Sequence, residues 1–275
     1  MSNKKITIVK LGGSILTDKL IPYRVREGIL DSVALELSAC INLGLIESLV
    51  LVHGVGSFGH PPVIEYKLYK GFQNADQLID LSKTQYIVNK LRLMIVDSFI
   101  KVGIPVNLMF PSSMLLGNKG IISHSLTDAL KGYLSLGMVP LLGGDMIYDE
   151  EIGFSVCGGD LLAVFLAREL GANQLIFVSD VNGVYDMDPK IHPEALLIKE
   201  IEINETEIMT QEGEENNKRD ITGQMTGKLS TIFSIRDLIQ KGLKVAILSM
   251  MIPDTLKKFL EGTETLATRV VSKKL

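Results

Sequence analysis

The strongest constraint on the fold is a regular alternation of short β-branched runs with long amphipathic segments. Such an alternation is typical of strands that are joined by crossover helices and packed as a parallel-rich sheet between helical layers. The predicted strands are residues 5–11, 48–53, 105–109, 139–142, 174–178 and 244–248. The predicted helices are residues 26–43, 76–102, 160–170 and 225–241. The sequence therefore predicts an α/β protein.

Composition excludes several classes of protein. With 275 residues, of which 46% are hydrophobic, the chain can bury the core of one large domain or of two lobes. A net charge of -4, with both signs mixed along the sequence, gives no reason to expect nucleic acid or an anionic membrane as partner. Cys40 and Cys157 have no C-x-x-C spacing, and no apolar run reaches membrane-spanning length. We expect a globular protein of the reducing cytoplasm.

A glycine turn follows the first predicted strand directly. Lys10 is the last charged residue of that strand, and Gly12, Gly13 and Ser14 follow at the place where open α/β sheets bind ligands. A lysine at a buried strand end costs free energy unless it meets an anion, so Lys10 is a candidate phosphate ligand. The alternative is a plain tight turn, with Lys10 as a surface edge residue.

A second glycine turn follows the second predicted strand. Gly54, Gly56 and Gly59 form a G-x-G-x-x-G pattern. A dinucleotide site needs its third glycine inside a helix, whereas here Pro61 follows almost at once. We therefore predict a loop that cradles an anion. His60 is placed to donate a hydrogen bond to a phosphoryl oxygen, or else it is an ordinary polar loop residue.

Two further glycine turns each carry a carboxylate. Asp145 follows Gly144 at the end of the fourth predicted strand, and Asp160 follows Gly159 after a predicted hairpin through residues 149–153. Carboxylates beside lysines orient them or reach a Mg²⁺ shell, and the alternative is that they cap turns and helices. We favour capping for Asp145 and a functional role for Asp160.

Two late segments offer contacts for a nucleotide. Residues 179–190 leave the fifth predicted strand as a series of turns that contains a lysine and an aromatic side chain. Residues 220–228 are not a P-loop, because three residues rather than four separate the glycines and Leu229 follows Lys228. A helix N-terminus with Lys228 one turn inside it remains suitable for a phosphate. Residues 211–219, which lack apolar side chains, are predicted to be a surface loop.

These motifs, taken in order, cover nearly the whole chain. They read Lys10-Leu-Gly-Gly-Ser-Ile-Leu-Thr-Asp-Lys19, His53-Gly-Val-Gly-Ser-Phe-Gly-His-Pro61, Pro111-Ser-Ser113, Gly144-Asp145, Gly158-Gly-Asp160, Ser179-Asp-Val-Asn-Gly-Val184, Asp220-Ile-Thr-Gly-Gln-Met225 and Gly262-Thr263. The set resembles the amino acid kinase superfamily and, within it, the isopentenyl phosphate kinases. Gly-Ser-Phe-Gly-His-Pro is its most specific part.

The resemblance implies an open αβα sandwich with a mostly parallel central sheet, usually dimeric, so we expect a homodimer. It implies ATP-dependent transfer of the γ-phosphoryl group to a small monophosphate, most closely isopentenyl phosphate, with Mg²⁺ bound through ligands that the motifs do not identify. Motif placement suggests one kinase domain over residues 1–275, with an acceptor-binding lobe at 1–170 and a nucleotide-binding lobe at 171–275.

The resemblance also assigns residues to roles. The implied catalytic residues are Lys10, Lys19, His60, Asp160 and Lys228. The implied acceptor-binding residues are Gly54, Val55, Gly56, Ser57, Gly59, His60, Gly158 and Gly159. The implied nucleotide-binding residues are Lys10, Gly12, Gly13, Ser14, Ser179, Asp180, Gly183, Tyr185, Asp188, Lys190, Gly223 and Lys228.

Two positions depart from the family pattern. Val55 stands where the family usually has glycine, and Gly159 stands where isopentenyl phosphate kinases tend to carry an acid. Both lie near the expected acceptor. The open alternatives are a kinase for another small phosphate or phosphonate, such as dimethylallyl phosphate or fosfomycin, and a non-catalytic nucleotide-binding protein. An apolar acceptor tail is expected against the long helix that follows Asp76.

Overall fold

The computed structural model describes residues 4–18, 20–203 and 223–272. Its strands are β1 (Ile6–Leu11), β2 (Ser48–His53), β3 (Val106–Leu108), β4 (Leu115–Asn118), β5 (Ile121–Ser125), β6 (Val139–Gly143), β7 (Asp145–Asp149), β8 (Gly153–Cys157), β9 (Gln174–Ser179), β10 (Val184–Tyr185), β11 (Leu197–Ile198), β12 (Glu200–Glu202), β13 (Lys244–Ser249) and β14 (Ala267–Val271). Its helices are α1 (Gly13–Leu16), α2 (Glu27–Asn42), α3 (Gly56–Glu65), α4 (Gln77–Lys101), α5 (Pro111–Met114), α6 (Asp128–Ser135), α7 (Gly159–Glu169), α8 (Gly223–Phe233), α9 (Arg236–Gln240) and α10 (Thr255–Leu260), and a 3₁₀ turn covers Leu68–Lys70.

Within the described residues, the central sheet has eight strands in the order β12-β14-β13-β9-β1-β2-β6-β3. All six predicted strands are confirmed and lie in this sheet. β1 pairs in parallel with β2 on one side and with β9 on the other, and only the β13–β14 pair is antiparallel among the central-sheet pairs of the described segments. The prediction of a mostly parallel α/β sheet is therefore confirmed.

Helices cover both faces of the sheet, because successive strand side chains point to opposite sides. In β1, Ile8 joins a core that is completed by α7 and α8, whereas Val9 joins a second core that is completed by α2 and α4. Both side chains are fully buried. The result is the expected open αβα sandwich.

A second, four-stranded sheet in the order β5-β4-β7-β8 contains the predicted hairpin. Asp149, which is fully buried, connects two turns of this sheet. Its carboxylate accepts hydrogen bonds from the backbone N–H groups of Lys119 and Gly120, between β4 and β5, and of Glu151 and Ile152, between β7 and β8. Burial opposes the charge, but these donors outweigh that effect and lower the pKa of Asp149 to about 2.

Two predictions of local structure were wrong. Residues 225–241 do not form one helix: α8 ends at Phe233, and Ser234 Oγ donates 2.7 Å to the Thr231 carbonyl oxygen at the break before α9. Such a local side-chain bond offers the backbone an alternative to the helical ladder. The second glycine turn is not a loop, since α3 begins at Gly56 and continues through both prolines.

Pro61 has no backbone N–H and so cannot donate the helical hydrogen bond to the carbonyl four residues earlier. It fits inside α3 because a donor from outside the helix binds that carbonyl instead. That carbonyl belongs to Ser57, four residues earlier, and it accepts the Tyr23 N–H at 3.4 Å. Proline therefore does not exclude a helix here, because a tertiary contact replaces the missing hydrogen bond.

The two predicted lobes share the central sheet, since β1 and β2 lie beside β9 and β13. Among the helices in the described parts of the chain, none is long and apolar enough to cross a membrane. Lys19 and the predicted loop at 211–219 lie outside the described residues.

Candidate active site

The glycine turns meet at one edge of the central sheet. Register pairs Leu11 at the end of β1 with His53 at the end of β2 and with Val178 in β9, so the chain leaves all three strands at the same level. The carboxyl edge of such a sheet is where α/β proteins bind ligands. A cleft of about 950 Å³ opens there.

Most of the predicted site residues line this one cleft. They are Lys10, Gly12, Gly13, Ser14, Gly56, Ser57, His60, Asp160, Ser179, Asp180, Gly183, Tyr185, Asp188, Lys190 and Lys228. Leu20, Pro22, Pro61, Val178, Val181, Met187, Pro189 and Met225 complete the lining. Predicted acceptor residues that lie outside this lining are Gly54, Val55, Gly59, Gly158 and Gly159. Gly223 begins α8.

Two lysines from distant parts of the sequence share one carboxylate. Lys10 Nζ lies 2.7 Å from Asp160 Oδ1, and Lys228 Nζ lies 2.9 Å from Asp160 Oδ2. The lysine side chains are only 8% and 9% exposed, whereas Asp160 is 27% exposed. The cluster carries one net positive charge at the cleft wall, which suits a ligand with several negative charges.

The charge state of this cluster follows from burial and from the close pairs. Burial would raise the pKa of Asp160, but the two ammonium groups lower it further than burial raises it, so the pKa lies below its ordinary value. Burial and the neighbouring Lys10 charge lower the pKa of Lys228 to about 8, against the opposing effect of Asp160. Lys228 also lies 5.0 Å from the Phe177 ring centroid.

The first two glycine turns touch backbone to backbone. A Cβ on Gly13 would lie 2.5 Å from the Gly56 nitrogen, and a Cβ on Gly54 would lie 2.6 Å from the Gly13 nitrogen. Thr17 ties the turns together: its Oγ1 donates 2.8 Å to the Gly13 carbonyl and accepts the Ser57 N–H at 3.0 Å. The two turns therefore form a single rigid unit.

The two departures from the family pattern have different neighbours. The Val55 side chain occupies the space where a Cβ on Gly59 would lie, 2.4 Å from such an atom, and it also lies against Gly144. A Cβ on Gly159 would lie 3.0 Å from the His53 carbonyl oxygen and 3.3 Å from Lys10 Cε. Gly159 thus leaves room for the lysine that reaches Asp160.

The segment after β9 is held at both ends. Asp180 accepts a hydrogen bond from Ser14 Oγ at 2.8 Å and forms an ion pair with Lys190. Val184 N–H donates 2.8 Å to Oγ1 of Thr268, which is fully buried in β14. The segment is thereby fixed over the carboxyl ends of β1 and β9.

Sequence reasoning missed three residues that build this site, namely Thr17, Arg92 and Thr268. Arg92 is 1% exposed and lies on the buried stripe of α4, four residues after Val88. A charged residue on the apolar face of a predicted helix indicates a buried side chain that needs a partner, so Arg92 could have been identified from the sequence. Thr268 gave no such signal, because the strand that carries it was not predicted.

These features define a class, the α/β phosphotransferases that hold phosphate groups on glycine turns and lysines. The sequence model of the amino acid kinase family matches residues 5–249, and the chain belongs to this family. Isopentenyl phosphate kinase from Methanothermobacter thermautotrophicus is 34% identical, over 97% of this chain and 99% of the relative. The enzyme of that name from Methanocaldococcus jannaschii is 32% identical, over 82% and 86%.

Solved structures agree with the sequence relatives. The chain matches an X-ray structure of isopentenyl phosphate kinase with a TM-score of 0.78 and 30% identity, over 97% of this chain and 99% of that one. It matches a product complex of the Thermoplasma acidophilum isopentenyl phosphate kinase with a TM-score of 0.78 and 25% identity, over 96% and 99%. The expected family and fold are confirmed.

Proposed function

We propose that this protein is an ATP-dependent kinase that transfers the γ-phosphoryl group of ATP to isopentenyl phosphate, giving isopentenyl diphosphate. The observation that carries the proposal is the cleft in which Lys10 and Lys228 converge on Asp160 and which His60 also lines. The full-length similarity to isopentenyl phosphate kinases supports the choice of acceptor.

The nucleotide is assigned to the side of the cleft formed by the 179–190 segment and α8. The residues there fit a triphosphate: Gly12 leaves no space for a Cβ, which would lie 2.8 Å from the Val178 carbonyl, so the first glycine turn packs directly on β9 at the wall of the cleft. Lys228, in the second turn of α8, adds positive charge beside that backbone. Glycine turns and helix N-termini with a nearby lysine are established phosphate sites.

The acceptor phosphate is assigned to the N-terminal turn of α3. Gly56 and Ser57 open this helix and His60 lies one turn further on, all three on the same cleft as Lys10. The Ser57 N–H is already bound to Thr17, so the attraction for an anion comes from the positive end of the helix dipole, to which an imidazole adds a hydrogen-bond donor. We propose that the acceptor's apolar tail extends towards α4, which packs against α3.

The proposed mechanism needs alignment and charge neutralisation rather than a base. A monophosphate oxygen is already anionic near neutral pH, so no residue has to create the nucleophile. Lys10 and Lys228 reduce the repulsion between the two phosphates and stabilise charge on the transferred group. Asp160 holds both ammonium groups in place before the substrates bind.

Mg²⁺ is proposed as a companion of the nucleotide. Within the three described ranges, no group of three or more His, Cys, Asp or Glu side chains is arranged to hold a metal ion. Asp160 is engaged by two lysines, and Asp180 by Ser14 and Lys190. Such an ion would be held chiefly by phosphate oxygens and water, and it would neutralise phosphate charge.

The proposed assembly and location remain those expected from the sequence, a homodimer in the cytoplasm. Both cysteines of the chain are free and buried, which suits a reducing compartment. Light scattering on the purified protein tests the dimer, and a monomer mass would contradict it.

The decisive test couples ADP release to ATP and a panel of acceptors: isopentenyl phosphate, dimethylallyl phosphate and fosfomycin. We expect isopentenyl phosphate to give the highest kcat/KM. We expect His60→Ala to lose at least about tenfold in kcat/KM for the acceptor, because a phosphate ligand is removed, and to bind ATP as the parent protein does.

The matched control is His124→Ala, which removes an exposed histidine on β5 and should change neither constant. Undiminished turnover in His60→Ala would remove the role given to His60. ATP binding without ADP release for any acceptor would instead favour the non-catalytic alternative.

A further inference from the structure

We propose that Arg92, together with Asp145, is a positioning residue for the acceptor site: through Gly144 it fixes the distance between the turn at the start of α3 and the turn at the start of α7. This inference rests on the proposed function, because it concerns the acceptor of that reaction. Neither side chain lines the cleft, so neither is assigned contact with substrate.

Arg92 reaches from the long helix α4 to the junction between β6 and β7. Its Nη2 donates a hydrogen bond of 2.9 Å to the Gly144 carbonyl and lies 3.2 Å from Asp145 Oδ2. Its Nη1 donates a hydrogen bond of 2.6 Å to Asn89 Oδ1. The guanidinium also lies 5.2 Å from the Phe110 ring centroid. The guanidinium orientation is therefore fixed on several sides.

Asp145 is bound as firmly as its partner. Its Oδ2 accepts the Ser112 N–H at 3.1 Å, and its Oδ1 accepts the Met146 N–H at 2.9 Å. The Arg92 and Asp145 side chains are only 1% and 2% exposed. The bond from the Ser112 N–H caps the first turn of α5, which is the kind of role that the sequence favoured for Asp145, whereas the ion pair with Arg92 was not predicted.

Gly144 connects this ion pair to both glycine turns. Its N–H donates 3.0 Å to the His53 carbonyl, immediately before the first turn. A Cβ on Gly144 would lie 3.0 Å from Val55 Cγ1 and 3.6 Å from the Gly159 nitrogen. A shift of Gly144 would therefore be felt in α3 through Val55 and in α7 through Gly159.

The energetics favour a geometric role over a purely stabilising one. A buried ion pair pays a desolvation cost that its attraction barely recovers, and apolar replacements of the same volume are often equally stable. What an apolar pair cannot supply is a donor aimed at the Gly144 carbonyl. A planar guanidinium can bind a carbonyl and a carboxylate at once, whereas a lysine cannot hold both in that fixed geometry.

The first test is Arg92→Lys in the full-length protein, with the KM of each substrate measured separately by ADP release. We expect the KM for isopentenyl phosphate to rise about tenfold, since displacement of reacting groups by about 1 Å lowers the rate up to a hundredfold. The KM for ATP should rise less, by no more than about threefold, because only Asp160 and the lysines that it holds connect this region to the nucleotide. Equal changes in the two constants, or none, would overturn the inference.

Two further variants separate positioning from stability. Arg168→Lys makes the same substitution in an exposed Arg168–Asp237 pair and should leave both KM values unchanged. Asn89→Ala removes one anchor of the guanidinium and leaves the ion pair, so it should raise the acceptor KM by about threefold even if Arg92→Lys does not fold. An unchanged acceptor KM in a folded Asn89→Ala protein counts against the inference.

Hydrogen exchange keeps the inference distinguishable from the proposed function. If the parent protein does not phosphorylate isopentenyl phosphate, the proposed function fails, but exchange can still be compared between the parent and Arg92→Lys. We expect about tenfold faster exchange in residues 54–60 and 158–160, and no change in β13. If Arg92→Lys left the exchange rates of residues 54–60 and 158–160 unchanged, or changed those of β13 equally, the positioning role would be overturned.

Discussion

At the scale of single residues, Asp160 is shared by two lysines that come from opposite ends of the chain. Lys10 is the penultimate residue of β1, and Lys228 lies more than two hundred positions later in α8. Because the ammonium group of Lys228 is almost fully buried, this carboxylate favours its charged form. The pH dependence of the proposed reaction should therefore reflect the cluster.

We predict that kcat/KM for ATP falls as the pH rises through about 8. The free enzyme loses the Lys228 proton near that pH, and the proposed mechanism needs the charged form. The negative charge of Asp160 raises the pKa of Lys228, so Asp160→Asn should lower that pKa further and move the fall to lower pH. Turnover at neutral pH should drop by about a hundredfold.

A pH profile of ADP release for both proteins tests this prediction. Asp237→Asn is the matched control, because it removes an exposed carboxylate that pairs with Arg168 away from the cleft, and it should keep the parent profile. Superimposable profiles for Asp160→Asn and the parent protein would show that the lysine charge is not governed by Asp160.

At the scale of elements, the site depends on contact between α1 and α3 through their glycine turns. The turns were readable from the sequence, since glycines follow two β-branched runs. Their packing was not, because it depends on the parallel pairing of β1 with β2 and on the Thr17 hydroxyl between them. The helix in the second turn was missed for the same reason, since a donor from Tyr23 compensates Pro61.

We predict that Gly13→Ala separates the two turns. Its Cβ would lie 2.5 Å from the Gly56 nitrogen, a backbone atom that cannot rotate aside. We expect a loss of about 1–3 kcal/mol in the free energy of unfolding from overpacking, and turnover reduced by at least about a hundredfold. Thermal unfolding and ADP release measure the two effects.

Gly132→Ala is the control for Gly13→Ala. Gly132 lies within α6, and a Cβ there would meet no atom within 4 Å. Because alanine is the better helix former, this variant should gain up to about 1 kcal/mol in stability and keep full activity. Full activity in Gly13→Ala would mean that the turns can move apart without harm to the site.

At the scale of the whole molecule, one sheet joins both predicted lobes. β1 from the acceptor half pairs along its length with β9 from the nucleotide half, and β9 pairs in turn with β13. The two cores on the faces of this sheet likewise combine residues from both halves. Neither half can satisfy its strand hydrogen bonds or bury its apolar face alone.

We predict that the two halves unfold together as one domain. Heating should give coincident transitions in far-ultraviolet circular dichroism and in hydrogen exchange of β2 and β13, which report one half each. Saturating ATP should raise both midpoints equally, because ligand binding stabilises the whole cooperative unit. Separate midpoints for β2 and β13 would instead support two independent lobes.

The sequence by itself determined the six main strands, the parallel sheet and the family, because these depend on local periodicity and on ordered motifs. It also identified most side chains at the cleft, since glycine turns after parallel strands must gather at one edge. Only the tertiary structure decided which residues support those turns. Thr17, Arg92 and Thr268 act through partners that lie 40, 52 and 84 positions away, and such pairings arise from packing rather than from any local pattern.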